Sequence, residues 1–166
     1  PFCGGGTTLL ACKELGINSM GFDILPFSVF LSNVKARTYD PRELRRQLKH
    51  FSAGNGAVPK NASLPDIAII DKAFSEDVKK NLLFLKYKIK AIRNPEVRDF
   101  YMLGLLSILE SVSNTSKSGG FLRITKRKIP GKDVYPKYLS RIEAMINDVE
   151  KFNDGLRFHR VKASAE

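Results

Sequence analysis

The feature that most constrains this chain stands at its beginning. Phe2-Cys3-Gly4-Gly5-Gly6-Thr7-Thr8 sets three consecutive glycines directly ahead of a helical stretch, Thr7 to Leu15. Glycine lets a chain turn from strand to helix because it enters positive φ freely and admits another group against the backbone without a Cβ clash. The helix N-terminus behind such a turn offers unpaired N–H groups to a polar or anionic ligand. Glycine turns of this kind normally follow a strand, yet the chain opens on Pro1, with no Met and no element before the turn. It therefore reads as a piece of a longer protein, cut just after a first strand.

The residues behind the turn carry the same theme. Gly16 is placed to stop the first helix. Ile17 to Ile24, with Ile17, Met20 and Phe22, reads as a short buried strand. Pro26 then sits in the first turn of a helix running to about Thr38, where its missing N–H costs nothing. Turn, helix, strand and helix in under 40 residues is the opening of a doubly wound sheet without its first strand. A further helix is predicted over 40–52, with Asp40 as N-cap and Pro41 behind it. Residues 53–66, rich in Gly, Pro, Asn and Ala, read as a loop and a subdomain boundary. Beyond it, helical periodicity runs over Ser75 to Ile92, Pro95 to Ser113 and Tyr135 to Phe152, with Ser75 as an N-cap. No alternating hairpin pattern appears after residue 66, so that half is expected to be helical.

Three ligand readings compete for the glycine turn. A phosphate-binding loop of the Walker type needs Lys-Ser/Thr after its last glycine, and Thr7-Thr8 stands there instead. The dinucleotide fingerprint needs a glycine at position 9, which is Leu9. The third reading is a Phe-x-Gly-x-Gly loop for S-adenosylmethionine. It gains from Asp23, the only carboxylate between Gly16 and Tyr39, at the end of the second strand. An acidic residue there can accept hydrogen bonds from both ribose hydroxyls of a nucleoside; the plainer reading of Asp23 is a turn residue.

With these residues in view, the first 38 positions resemble the cofactor-binding segment of amino-group DNA methyltransferases, site-specific enzymes that methylate the exocyclic amine of adenine or cytosine. Phe2, Gly4, Gly6, Thr7, Thr8, Gly21, Asp23 and Pro26 match that pattern, and the aspartate that leads it would lie just before Pro1. The resemblance implies that Phe2, Cys3, Gly4, Gly5, Gly6, Thr7 and Thr8 cradle the methionine part of S-adenosyl-L-methionine, that Asp23 holds its ribose and that Ile24 lines its adenine. It also implies an α/β fold class: a partial Rossmann-like S-adenosylmethionine-dependent methyltransferase fold lacking its first strand and catalytic half, followed by a mostly helical insert. On that reading residues 1–52 are a partial cofactor-binding domain, 53–66 a loop, and 67–166 a helical, basic insert for DNA contact or target recognition.

One departure matters. The family's catalytic motif is an Asp, Asn or Ser followed by Pro-Pro and an aromatic residue, which grips the amine of a base turned out of the helix. The eight prolines here stand at 1, 26, 41, 59, 65, 95, 130 and 136, none adjacent to another. No catalytic residue is therefore assigned, and this piece alone is expected to be inactive.

Charge supplies the second signal. Lys and Arg number 28 against 17 Asp and Glu, a net +11. Between Lys117 and Arg141 stand Lys117, Arg123, Lys126, Arg127, Lys128, Lys132, Lys137 and Arg141 against Asp133 alone, with Phe121, Tyr135 and Tyr138 among them. Basic residues interleaved with aromatics suit a surface that tracks a phosphate backbone and stacks on bases. Lys117, Arg123, Lys126, Arg127, Lys128 and Lys132 are accordingly expected at DNA. A second set, from Lys79 to Arg98, reads equally well as a solvated helix face.

Other features exclude more than they assign. Hydrophobic residues at 43% suffice for a core, while the longest apolar stretches fall short of the roughly 18 residues of a membrane span. Two cysteines fit a reducing, cytoplasmic setting, and His50 and His159 have no ligand-spaced companions, so no metal is assigned. A missing central strand would leave a sheet edge through which a homodimer could form. The alternatives are an RNA methyltransferase, a non-catalytic nucleic-acid-binding module derived from the same fold, and a nicotinamide-dependent oxidoreductase, against which Leu9 and the basic surface both count.

Overall fold

A computed structural model of the chain describes residues 2–52, 63–65, 67–119, 121–125, 129–155 and 163–166. The loop expected over 53–66 falls, apart from 63–65, outside the described residues, as do Lys126, Arg127, Lys128 and His159. The chain is mixed α/β and mostly helical. In order come α1 (Thr7–Glu14), β1 (Ser19–Gly21), α2 (Pro26–Ala36), α3 (Pro41–Ser52), α4 (Ala68–Ala73), α5 (Glu76–Lys90) and α6 (Pro95–Ile108). There follow β2 (Thr115–Ser118), β3 (Phe121–Ile124), a 3-10 turn at Gly131–Asp133, α7 (Val134–Gly155) and β4 (Ala163–Ala165). Among the described residues no helix is long and apolar enough to cross a membrane. The chain divides into two compact units, residues 1–45 with 146–166 and residues 46–145.

In the first unit β1 and β4 pair in parallel, Ser19 opposite Ala163 and Gly21 opposite Ala165. Two strands this far apart in sequence can pair in parallel because the chain between them serves as the crossover; here it carries α2 and the whole of the second unit. Gly21 accepts a bond from the Glu166 N–H at 2.9 Å, and the Asp23 N–H returns one to Glu166 at 3.1 Å. On its other side β4 meets a side chain rather than a strand. The Asn33 amide donates to the Ala165 carbonyl at 2.8 Å and accepts from the Ala165 N–H at 2.7 Å. One residue of α2 thus imitates a neighbouring strand for a buried backbone position.

Helix α1 stops as expected, at Gly16 with φ 72°. Its buried face, however, is Leu9 and Lys13, four residues apart and hence one above the other; Leu10 is half-buried and Ala11 exposed. Lys13 is only 2% exposed. Its ammonium donates to the carbonyls of Ala36 and Arg37 at 2.8 and 2.9 Å, closing the C-terminal end of α2, and lies 5.4 Å from the Phe152 ring centroid. Burial pushes its pKa down, as desolvation of a cation must.

The second unit is built on aromatic packing. Phe51 stacks on Tyr101 with centroids 5.1 Å apart and meets Tyr138 at 5.7 Å. The buried Tyr138 hydroxyl donates to the Tyr101 carbonyl at 3.2 Å, and burial raises the pKa of both tyrosines. Gly104 in mid-α6 leaves room for Ile142, whose Cδ1 lies 2.3 Å from where a Cβ would stand. The apolar stripe of α6 is core, with Val97, Phe100, Tyr101, Leu105 and Ile108 buried, and so is Val112 in the turn that follows, where the helix was expected to run on to Ser113.

Three sequence expectations are corrected. Ile17, Met20 and Phe22 are more than half exposed rather than buried, because β1 is three residues long with β4 as its strand neighbour and buries only Gly21. Ser75 occupies the N-cap of α5 without a side-chain capping bond. Most consequentially, the half beyond residue 66 is not helical throughout: β2 and β3 form an antiparallel hairpin, and β4 adds a strand. Every residue of β3 faces water, so Phe-Leu-Arg-Ile carries no inside–outside alternation to read, and Ala-Ser-Ala in β4 carries no apolar signal.

Asn33→Ala strips Ala165 of both side-chain partners. It should lower the unfolding free energy by about 1–3 kcal/mol in urea denaturation and speed amide hydrogen exchange at Ala165. Unchanged exchange there would refute the strand-imitating role.

Candidate functional site

The glycine turn is assembled from its own backbone and three neighbouring elements. Phe2, Gly4 and Gly6 adopt φ of 54°, 50° and 73°, which curls the backbone so that the Gly6 N–H donates to the Cys3 carbonyl at 2.8 Å. The Cys3 N–H donates to the Phe22 carbonyl at 2.8 Å, tying the turn to the residue after β1. Gly21 permits this approach, since a Cβ there would stand 2.8 Å from Cys3 Cβ and 3.2 Å from Leu9 Cδ1.

Helix α2 supplies the floor. A Cβ on Gly6 would lie 2.9 Å from the Ser32 Cα, a backbone atom that cannot swing aside. Ser32 is fully buried, and its hydroxyl donates to the Gly4 carbonyl at 3.2 Å. One turn on, the Lys35 ammonium donates to the Gly5 carbonyl at 2.9 Å. Neither Ser32 nor Lys35 was legible as a site residue: periodicity shows an apolar helix, and only a small residue amid Phe30, Leu31 and Val34 hints at a close approach.

Asp23 joins the two halves of the site. Its Oδ2 accepts from the Gly4 N–H at 2.8 Å and its Oδ1 from the Leu25 N–H at 2.9 Å, with the Cys3 thiol 4.0 Å from Oδ2. The backbone N–H groups of Leu25 and Gly4 hold its carboxyl below the ordinary range, because they bond the charged form. A carboxylate offers about four acceptor sites, of which the two backbone N–H groups take one on each oxygen and the Cys3 thiol, at 4.0 Å, touches Oδ2 only weakly. Thr7 and Thr8 are exposed at the head of α1, and nothing lies within 4 Å of a Cβ on Gly4, so the top of the turn is open. Phe2 and Ile24 are 80% and 84% exposed. All the residues from Phe2 to Thr8 thus lie together with Asp23 and Ile24.

The basic residues are a separate group, in the second unit. Lys117 pairs with Glu110 at 2.7 Å. Arg123 is exposed on β3 and Lys132 in the 3-10 turn. Lys137 and Arg141 donate to the Ser111 carbonyl and the Ser107 hydroxyl at 3.1 and 3.0 Å. In the second basic set two members turn out to be occupied. Lys79 pairs with Asp71 and Glu76, and Lys88 lies 5.2 to 5.9 Å from the ring centroids of Phe84, Phe51 and Tyr135.

Comparison with known proteins gives relatives of one kind. No protein-family model matches the chain, and no solved structure matches it. Type II methyltransferase M.BsoBI of Geobacillus stearothermophilus is 35% identical over 127 residues, covering 74% of this chain and 25% of that protein. Type II methyltransferase M.MjaII of Methanocaldococcus jannaschii is 34% identical over 101 residues, 61% of this chain and 19% of its own length. Type II methyltransferase M.AvaI of Nostoc sp. is 29% identical over 143 residues, 82% of this chain and 30% of its own length. The chain thus spans between a fifth and a third of the relatives it matches.

Two measurements test the geometry. Stabilisation of the turn by ionised Asp23 is complete above the ordinary carboxyl pKa of 3.8 and is lost as pH falls through the lowered folded value. Carboxyl carbon NMR should therefore give Asp23 a midpoint below 3.8, and a midpoint at or above it would contradict the bonds described. Gly6→Ala should cost about 1–3 kcal/mol for the left-handed backbone alone and more for the collision with Ser32. Gly4→Ala meets open space, so it should be the milder change in chemical denaturation.

Proposed function

We propose that this chain, similar over most of its length to part of type II methyltransferases, is the cofactor-binding piece and helical insert of an S-adenosylmethionine-dependent DNA methyltransferase acting on the exocyclic amine of adenine or cytosine. The observation that carries the reading is the single carboxylate at the end of β1 bonded to the backbone of an open glycine turn, in a chain whose relatives are methyltransferases. A Rossmann-like element is the natural frame for it: glycine turn, α1, β1 ending in Asp23, then α2, with β4 parallel to β1.

The residues present fit the cofactor. The open space above Gly4 and the exposed first turn of α1 suit the methionine end. Asp23, held ionised by two backbone donors, has the free lone pairs to accept from two ribose hydroxyls. Ile24, 84% exposed beside it, presents an apolar face to adenine. When bound, the cofactor supplies a sulfonium methyl group, which an amine can take by direct displacement without a metal. The chain's own part is to bind and orient. The prolines of this chain include no adjacent pair, and on this reading the group that grips the target amine lies in the remainder of a longer protein.

The test is calorimetric titration of S-adenosylhomocysteine into the full-length protein that carries these residues. Asp23→Ala should weaken binding by about 1–3 kcal/mol, the worth of hydrogen bonds to a charged group. A folded protein that binds none of it would remove the methyltransferase reading and favour a nucleic-acid-binding module of the same descent.

A further inference from the structure

The β2–β3 hairpin has no role in the cofactor site and no signature in the sequence, yet the second unit builds it with care. Its base is held at Asn114. The Asn114 N–H donates to the Ala73 carbonyl at the end of α4 at 2.7 Å, its carbonyl accepts from the Thr125 N–H at 2.7 Å and from the Thr125 hydroxyl at 3.0 Å, and its side chain accepts from the Ile129 N–H at 3.3 Å. Beside it Ser113 and Thr115 share a hydroxyl–hydroxyl bond of 2.7 Å. The ribbon thus stands on a fixed footing.

Its two faces differ. Residues opposite one another in an antiparallel pair share a face, and the faces alternate along each strand. The register Thr115 to Ile124, Ser116 to Arg123, Lys117 to Leu122 and Ser118 to Phe121 therefore sorts the side chains. Thr115, Lys117 and Leu122 line a groove with Ile70 of α4 and Leu106 of α6. The opposite face carries Ser116, Phe121 and Arg123. Phe121 is 82% exposed, and Arg123 has no carboxylate partner among the described residues. Lys117 by contrast is matched by Glu110. An apolar ring and a guanidinium without a carboxylate partner stand two positions apart on one face of an exposed ribbon, and neither makes a ring contact or ion pair among the described residues. Large exposed apolar side chains on a strand are a liability unless a partner covers them. The charge beside Phe121 and the net +11 of the chain select a polyanion, and a two-stranded ribbon has the width of the major groove of B-DNA.

We propose that the β2–β3 hairpin is a duplex-DNA-reading ribbon, in which Arg123 meets a backbone phosphate and Phe121 makes an apolar contact with the bases. It rests on the reading of this protein as a DNA methyltransferase, to which it adds the element that touches the substrate. The two side chains act differently, and salt separates them. A phosphate contact releases counterions and steepens the fall of affinity with salt, by about 0.9 in log–log slope per contact. An apolar contact with a base edge adds affinity, about 10- to 150-fold for burial of a Phe side chain, and releases none.

The test is fluorescence anisotropy of a labelled mixed-sequence duplex with the full-length protein across a series of salt concentrations. Phe121→Ala should bind about 10- to 150-fold more weakly at unchanged salt slope, and Phe121→Tyr should restore affinity. Arg123→Gln should weaken binding and flatten the slope by about 0.9, whereas Lys80→Gln, an exposed charge on α5, should leave it unchanged. Affinity of Phe121→Ala equal to the parent, a slope for Arg123→Gln equal to that of Lys80→Gln, or preference for an RNA duplex of the same sequence would each overturn the proposal. S-adenosylhomocysteine titration of the same proteins separates the two readings. Cofactor binding with hairpin variants that hold DNA normally sinks the ribbon alone, and DNA binding lost in those variants without any cofactor affinity sinks the methyltransferase reading and leaves the ribbon standing.

Discussion

The first unit depends on how closely α2 approaches the glycine turn. With Ser32 Cα 2.9 Å from where a Gly6 side chain would begin, the two backbones are in close approach, and three polar residues within four positions of one helix become available to what surrounds it. Ser32 and Lys35 bond the carbonyls of Gly4 and Gly5, Asn33 bonds β4, and the final carbonyls receive Lys13. Turn, strand and helix are thereby fixed to one element. Asp23 completes the arrangement from the other side, because its carboxylate takes the Gly4 N–H. A ligand group reaching Asp23 would therefore meet a preorganised acceptor, whose charge is already favoured by backbone donors.

The second unit is organised on a different principle. Its centre is Phe51, Tyr101 and Tyr138, packed ring on ring, with Lys88 above Phe51 and its ammonium donating to the Phe51 carbonyl and the Tyr135 hydroxyl. Burial pushes the Lys88 pKa down, so this lysine belongs to the interior chemistry of the unit and not to its basic surface. The same is true of Lys79, whose ammonium is matched by two carboxylates. A count of basic residues along the sequence overstates the free charge, because Lys79 and Lys88 are occupied, while Arg123 and Lys132 are exposed.

Legibility followed the range of the interactions concerned. Helix positions were readable because capping and stopping are local: Asp40 accepts from the Arg42 N–H at 2.9 Å where the N-cap was expected, and Gly16 ends α1. Core faces of α6 and α7 were readable because Val97, Phe100, Ile108, Ile142 and Ile146 recur at helical spacing and are buried. The hairpin and β4 were not. Both are short, one is wholly exposed and the other made of small residues, so neither leaves a hydrophobic period. The burial of Lys13 has no sequence signal for a related reason: the carbonyls of Ala36 and Arg37 that receive it lie more than twenty residues away.

The sequence by itself determined the turn, the longer helices and the residue types gathered at the turn, because backbone freedom at glycine, capping and periodicity act over a few residues. It also carries the similarity to part of the type II methyltransferases, since that rests on matched residues. Only the tertiary structure decided that Gly6 faces Ser32, that Asn33 serves as a strand for Ala165, that Lys13 closes α2, and that Phe121 and Arg123 share a face. Each of these joins positions whose partnership depends on where other elements bring the backbone, and no local pattern records where a distant carbonyl or Cα will lie.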